Sequence, residues 1–526
     1  MRVLVLLAST LFFVVSVPAS AEWWEAETAH FIVKSRSSQE EAREYALEME
    51  QFDAVLRTLQ GMETGVEQAS RANKPIIYRF GRPRDIARIA NAPGSGIAGF
   101  FIPRAGNSVA FAPTRNSRDT SAKTSWQIRE DPRARLDPRS VLLHEYAHYF
   151  MLQHFPGAYP RWYVEGFAET LATMKVEEDG NFHIGDPPQY RAAQIFQLQD
   201  FPLDEMLDDD HELTGLDALQ HYATGWLLTH YMSFNPERLR QLRAYLVAIA
   251  AGEASLSAAK REFGDLGKLE QELESYKKGP FPGLRIANPN LDETVRTRRL
   301  SDAEEAAIMY EIRLARGGDE DEGASIAARL TSIAEEFPDD PHVLTILARA
   351  QLAAKNYVEA DTVATRALAL NPAIAVAWLV RAQASLEQAK GNPQLAERSR
   401  DHAIMAANSD PYDPRPQIQY YFSYSKLGET PPETAVIALE QVFDAAGGDT
   451  GYRLLLARQL LFEDRLDSAR AVLLPVAYAG HRTGEPKDQD KPYLPRLLDL
   501  VREQDREGAI AMIDKIILED EEEGDT

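Results

Sequence analysis

The chain has 526 residues, of which 44% are hydrophobic and 26% charged, an ordinary globular composition at a length that suits two or three domains. Lys plus Arg number 57 against 81 Asp plus Glu, and the net charge of −24 argues against nucleic-acid binding through phosphate neutralisation and against anionic surfaces. There is no cysteine, which excludes disulfides, thiolate nucleophiles and cysteine zinc knuckles and leaves His, Asp and Glu to hold any metal.

Residues 1–21 read as an export signal. Arg2 supplies the charge, VLVLLASTLFFVVSV the apolar stretch, and Ala19-Ser20-Ala21 a small-residue cleavage site. The apolar run, about 15 residues, is shorter than the roughly 20 a spanning helix needs, which favours cleavage near Glu22 over a membrane anchor. No other stretch is apolar enough to span a bilayer. The mature chain is expected to be secreted, into a bacterial periplasm or beyond.

A first domain is expected over residues 22–278. His30–Ser35 reads as a strand, Gln39–Leu59 as a helix and Pro75–Phe80 as a second strand. Gly96–Pro113 reads as strand, turn, strand, with Gly106-Asn107 near the turn. The chain is mostly helical from there on, so the domain class is α+β. The hairpin offers an edge strand on which an extended peptide can pair.

The segment HEYAHYF (144–150) holds the candidate chemistry. Asp137-Pro138 is a helix start, with Asp as cap and Pro at the first position. Val141, Leu142, Tyr146, Ala147 and Phe150 are the packing residues of that helix. Positions 144 and 148 then lie about 40° apart on one face, so both imidazoles can reach one ion. Glu145, one step round, can contact a water on that ion, as a general base requires. His154 points elsewhere and reads as a last-turn histidine favourable to the helix dipole. A catalytic zinc usually takes three protein ligands. The next helical stretch, RWYVEGFAETLATM (161–174), presents Glu165 and Glu169 four apart on one face.

HEYAH followed by WYVEGFAE resembles the gluzincin peptidases, and most closely the secreted peptidase-MA-like proteins that carry helical repeats behind a zincin-like catalytic domain. The resemblance implies one zinc ion held by His144, His148 and Glu165, with sixteen residues between His148 and Glu165. Glu169 is either an acceptor that orients a ligating histidine, a solvated carboxylate, or the alternative third ligand. In HYATGWLLTHYM (221–232), Tyr222 with Gly225 three residues on matches the family's Y-x-x-G tyrosine, which implies a donor to the oxyanion. The same residue also fits an apolar stripe with Leu219, Trp226 and Leu227, which makes it core. His221 and His230 are weaker candidates. The likeness is specific over 144–148 and 162–169 and weaker over 222–225. The chain has no G-x-M-E-N segment of the kind aminopeptidases use to hold a substrate N-terminus, so an endopeptidase is implied.

Residues 279–300, with three prolines and two glycines, read as a linker. Beyond it, small and apolar residues recur at helical spacing, as in Pro341–Pro372, the following stretch to Pro411, and Gly451–Ala477. This rhythm resembles tetratricopeptide repeats and implies an all-α repeat domain over 301–480 that can bind a protein partner. Residues 481–526 read as a C-terminal helix and an acidic tail, LEDEEEGDT, expected to be disordered. The expectation is therefore a zinc peptidase acting on peptide or protein substrates. The rival is a repeat-type interaction scaffold with an inactive peptidase domain. A metal-dependent hydrolase of a non-peptide bond is a third possibility, since ligands fix the metal and not the substrate.

Overall fold

The computed structural model describes residues 22–64, 69–93, 97–114, 137–208, 211, 216–289, 291–477 and 493–523. The expected export signal (1–21) lies outside the described residues. Among those described, no helix is long and apolar enough to cross a membrane.

The N-terminal part starts with β1 (Trp23–Glu27) and β2 (Ile32–Arg36). α1 (Gln39–Leu59) starts where the sequence predicts because Ser38 caps it reciprocally: Ser38 Oγ accepts from Glu41 N, and the Glu41 carboxylate accepts from Ser38 N. β3 (Ile76–Arg79), α2 (Pro83–Ile89), β4 (Phe100–Ile102) and β5 (Val109–Ala112) follow. Gly106 and Asn107 turn the β4–β5 hairpin with φ of 70° and 45°, the left-handed region these two residue types tolerate best. Then come α3 (Pro138–His154), α4 (Arg161–Leu171), β6 (Lys175–Val176) and β7 (Phe182–Ile184). Helices α5 (Ala192–Gln197), α6 (Leu203–Met206), α7 (Leu216–Phe234), α8 (Pro236–Ala250), α9 (Ser255–Glu262) and α10 (Leu266–Tyr276) complete this part.

The segment expected as a linker is not one. It carries β8 (Leu284–Ile286), which pairs with β7, and β9 (Arg296–Arg299), which pairs with β1. The main sheet has the order β4-β5-β3-β2-β1-β9, parallel between β2, β3 and β5 and antiparallel elsewhere; β6, β7 and β8 form a smaller antiparallel sheet. Prolines in this segment flank the strands instead of marking a free connection.

Both faces of the main sheet are covered. On one, Val33, Ile77 and Ala110 pack with Ala46, Phe52 and Val55 of α1 and with Leu142, Tyr146 and Phe150 of α3. On the other, Trp23, Tyr78, Val109 and Phe111 pack against Ile308, Ile312 and Ala315. Those last residues belong to α11 (Asp302–Arg316), the first helix of the C-terminal half. Buried charge ties the same junction. Lys34 Nζ lies 2.6 Å from Glu311 Oε1, and Tyr78 Oη donates to that oxygen at 2.8 Å. Burial alone would raise the Glu311 pKa, but Lys34 and His342 hold it well below the usual carboxylate range.

The C-terminal half is helix-rich and repeat-like. α11 is followed by α12 (Glu320–Glu336), α13 (Pro341–Ala353), α14 (Tyr357–Leu370), α15 (Ala375–Glu387) and α16 (Pro393–Ser409). Asp319, Asp340 and Asn392 cap α12, α13 and α16, so the polar residue that ends each turn also starts the next helix. Small residues sit at the crossings: Ala348, Ala360, Ala364, Ala377 and Ala384 share one core. The pattern continues through α17 (Arg415–Ser425), α18 (Glu433–Gln441), the short α19 (Phe443–Ala446), α20 (Thr450–Phe462), α21 (Leu466–Ala477), α22 (Tyr493–Arg502) and α23 (Arg506–Glu523). The acidic tail expected to be disordered is helical as far as Glu523; residues 524–526 lie outside the described set.

Candidate metal centre

α3 is set from both ends of its inner face. Asp137 accepts from Arg139 N at 3.2 Å, and Pro138 occupies the first turn, as the sequence indicates. Between the two histidines, Tyr146 turns the opposite way and donates to Asp53 Oδ1 at 2.7 Å. Asp53 also accepts from Arg57 Nε at 2.5 Å, so α1 holds α3 by a buried polar contact as well as by packing. Leu142, Ala147 and Phe150 are buried around that contact.

The opposite face presents the histidines. His144 Nε2 and His148 Nε2 lie 3.0 Å apart, with the rings perpendicular and their centroids 4.5 Å apart. Glu165 Oε2 is 3.3 Å from His144 Nε2 and 3.6 Å from His148 Nε2. Glu165 is wholly buried, and the three ligand atoms all lie within 4.8 Å of one another. Burial pushes the His144 imidazole down, but Glu165, Glu169 and Glu145 outweigh it and hold its pKa up at about 9. The pocket therefore favours positive charge at this point. Two imidazole nitrogens and one carboxylate oxygen, converging and shielded, form a group that could hold a metal ion. Glu145 is half-buried beside His144.

Two glycines bring Glu165 into place. A Cβ on Gly166 would sit 2.1 Å from Thr229 Oγ1 and 2.5 Å from the Gly225 carbonyl oxygen, and one on Gly225 would meet the Trp162 carbonyl at 3.0 Å. α4 and α7 therefore touch backbone to backbone, and that contact carries Tyr222 of α7 toward Glu165 of α4. Tyr222 is half-buried and lies outside the apolar cluster that holds Trp226 and Leu227. Its ring lies 5.0 Å from the Arg191 guanidinium and 5.9 Å from that of Arg161. Burial and the Glu165 charge raise the phenol pKa, while Arg161 and Arg191 pull against them.

Glu169 is 1% exposed, so it is not a solvated carboxylate. It accepts from Arg191 Nε at 2.8 Å and is not part of the three-residue ligand group. His144 Nδ1 is buried and makes no hydrogen bond among the described residues. The weaker histidine candidates lie outside the three-residue ligand group. His221 is buried on the Phe201 ring, and burial and Arg161 bring its pKa down to about 4. His230 contacts Gly185 O at 2.7 Å and the Tyr276 hydroxyl at 2.8 Å, and burial brings its pKa down to about 4 as well. His154 ends α3, in its last turn as expected; burial against Phe150, with Arg57 nearby, brings its pKa down to about 4, which weakens the favourable dipole interaction at neutral pH. Arg161 and Arg191 escaped the sequence reading. Arg161 stands four residues before Glu165, a spacing that puts both on one helix face and could have flagged it; Arg191 comes from a single 3-10 turn with no pattern to read.

No family model matches the chain. No curated protein matches it either. Among solved structures, a thermophilic TPR protein from Thermus thermophilus is similar over 38% of this chain and 98% of its own, at 22% identity and a TM-score of 0.30.

Proposed function

We propose that the chain is a secreted zinc-dependent endopeptidase that hydrolyses peptide bonds with Glu145 as general base. The observation that carries this reading is the convergence of His144, His148 and a wholly buried Glu165 within 4.8 Å. That donor set leaves coordination room for substrate chemistry. Zinc held by these three residues would polarise the scissile carbonyl and acidify a water beside Glu145. Glu145 takes the proton from the attacking water and delivers it to the leaving amine. Tyr222 donates its phenolic hydrogen to the carbonyl oxygen as negative charge grows there. Arg161 and Arg191 add a positive field on the same side. Glu169 holds Arg191 in position through the pairing described above. The export part of this reading rests on the pattern of residues 1–21 alone.

Glu145→Gln tests this directly. It should keep the metal and abolish cleavage of a peptide library; cleavage at the wild-type rate refutes the reading. A second reading is favoured by the helical half, whose hairpins present a surface for a protein partner. There the repeats are the working part and the N-terminal domain is inactive. A mature chain without stoichiometric divalent ion and without hydrolysis, which still captures a protein partner, fits that reading instead.

A further inference from the structure

A cavity of about 490 Å³ lies where the residues after β4 meet the helical half. Its lining combines Arg104 and Arg415 with Leu379, Ile418 and Phe422. Gln419 also lines it; this residue is 5% exposed, and its amide nitrogen Nε2 has no hydrogen-bond partner among the described residues. A buried donor left unmade is costly and points to an acceptor that belongs there.

The charges around the cavity are unequal. Arg415 is paired with Asp413 at 2.7 Å. Arg104 donates to the Arg316 carbonyl at 3.2 Å, and among the described residues it makes no ion pair. Arg349 adds a third guanidinium: burial and Arg349 together push Arg104 below its usual range. The acid in the lining, Asp449, accepts from Ala105 N and Tyr452 N at 2.8 Å each, and its charge also favours the Arg104 guanidinium. The site therefore offers a guanidinium outside any ion pair among the described residues and an unmade amide donor beside an apolar wall. A ligand that matches is an anion joined to an apolar group, of a size that several hundred Å³ can enclose.

We propose that this cavity is a second binding site, which takes the free carboxylate end of a peptide whose last side chain is apolar. The carboxylate accepts from Arg104 and the Gln419 amide, and the side chain displaces water from Leu379, Ile418 and Phe422. The Gln383 amide, also in the lining, serves the peptide backbone. No lining residue belongs to the His144–His148–Glu165 group, so the site stands whether or not the chain is a peptidase.

The test is calorimetric titration of the mature chain carrying Glu145→Gln, which prevents consumption of the probes. The probes are tripeptides ending in Leu or Phe, each as free acid and as amide, with octanoate as the non-peptide acid. The free acids should bind, and amidation should weaken them on the order of tenfold or more. Gln419→Leu and Arg104→Gln should each weaken the free acids about tenfold, while His144→Ala leaves them unchanged. Equal binding of acid and amide overturns the proposal, as does binding of octanoate alone or of no probe at millimolar concentration. Binding lost in His144→Ala and kept in Arg104→Gln also overturns it, because the peptide then sits at the metal group.

Discussion

Lys34→Met probes the junction between the sheet and the helical half. The substitution keeps the side-chain length and removes the charge. Lys34 and Glu311 are 8% and 7% exposed, so neither charge is relieved by water. Stranding a buried carboxylate typically costs ~3–5 kcal/mol. Glu311 keeps the Tyr78 hydroxyl at 2.8 Å and His342 Nε2 at 3.4 Å, which places the cost at the lower end, about 3 kcal/mol. Adding Glu311→Gln removes the stranded charge and keeps the Tyr78 bond, so the double variant should lie within about 1 kcal/mol of wild type. The pH dependence has a definite sign. The folded pKa of Glu311 is depressed, so its stabilisation is present above the unfolded value of about 4.3 and is lost as pH falls through the folded value. The gap between wild type and Lys34→Met should therefore be widest near neutrality and close in acid. Urea unfolding followed by tryptophan emission reads it, since Trp23 lies on the covered face of the sheet. A double variant as unstable as Lys34→Met at neutral pH would refute the stranded-charge argument.

Gly166→Ala forces a Cβ to 2.1 Å from Thr229 Oγ1 and should cost about 1–3 kcal/mol by urea titration while weakening zinc binding. Adding Thr229→Ala should recover only part, because the Gly225 carbonyl remains at 2.5 Å; full recovery would mean the backbone contact does not matter. Tyr222→Phe should lower kcat about 10²–10³-fold with little change in KM or zinc content; an unchanged kcat removes the phenol from the oxyanion role. His230→Ala removes contacts to Gly185 O and the Tyr276 hydroxyl, so it should destabilise the fold and leave zinc stoichiometry intact. Loss of zinc from that variant would make His230 part of the centre.

What could be read from the sequence was local. Ser38 with Glu41, and Asp137 with Pro138, name the starts of α1 and α3 because capping is settled within four residues. His144, Glu145 and His148 follow from helical spacing alone. Glu165 could be named only through the resemblance, since its approach depends on the close crossing at Gly166 and Gly225. β1 and β9 could not be read, because they pair through charge and not through an apolar pattern. Glu25 stands opposite Arg298 and Glu27 opposite Arg296, and Arg298 Nη2 donates to Glu25 Oε2 at 3.0 Å. RTRR therefore reads as a solvated run until its partner strand, some 270 residues earlier in the chain, is known. The same long-range pairing hid the covering of the sheet by α11 and made an integral segment look like a linker. Tyr222 stayed open between oxyanion donor and core because its stripe is apolar; the guanidiniums that flank it come from two other segments.

The central claim is that His144, His148 and Glu165 hold one metal ion, and metal content by mass spectrometry of the purified mature chain tests it most directly. The account predicts one zinc per chain in the wild type and in Glu145→Gln, and none retained through dialysis in His148→Ala or Glu165→Gln. A wild type without stoichiometric divalent ion, or a His148→Ala variant that keeps its full zinc, would contradict it.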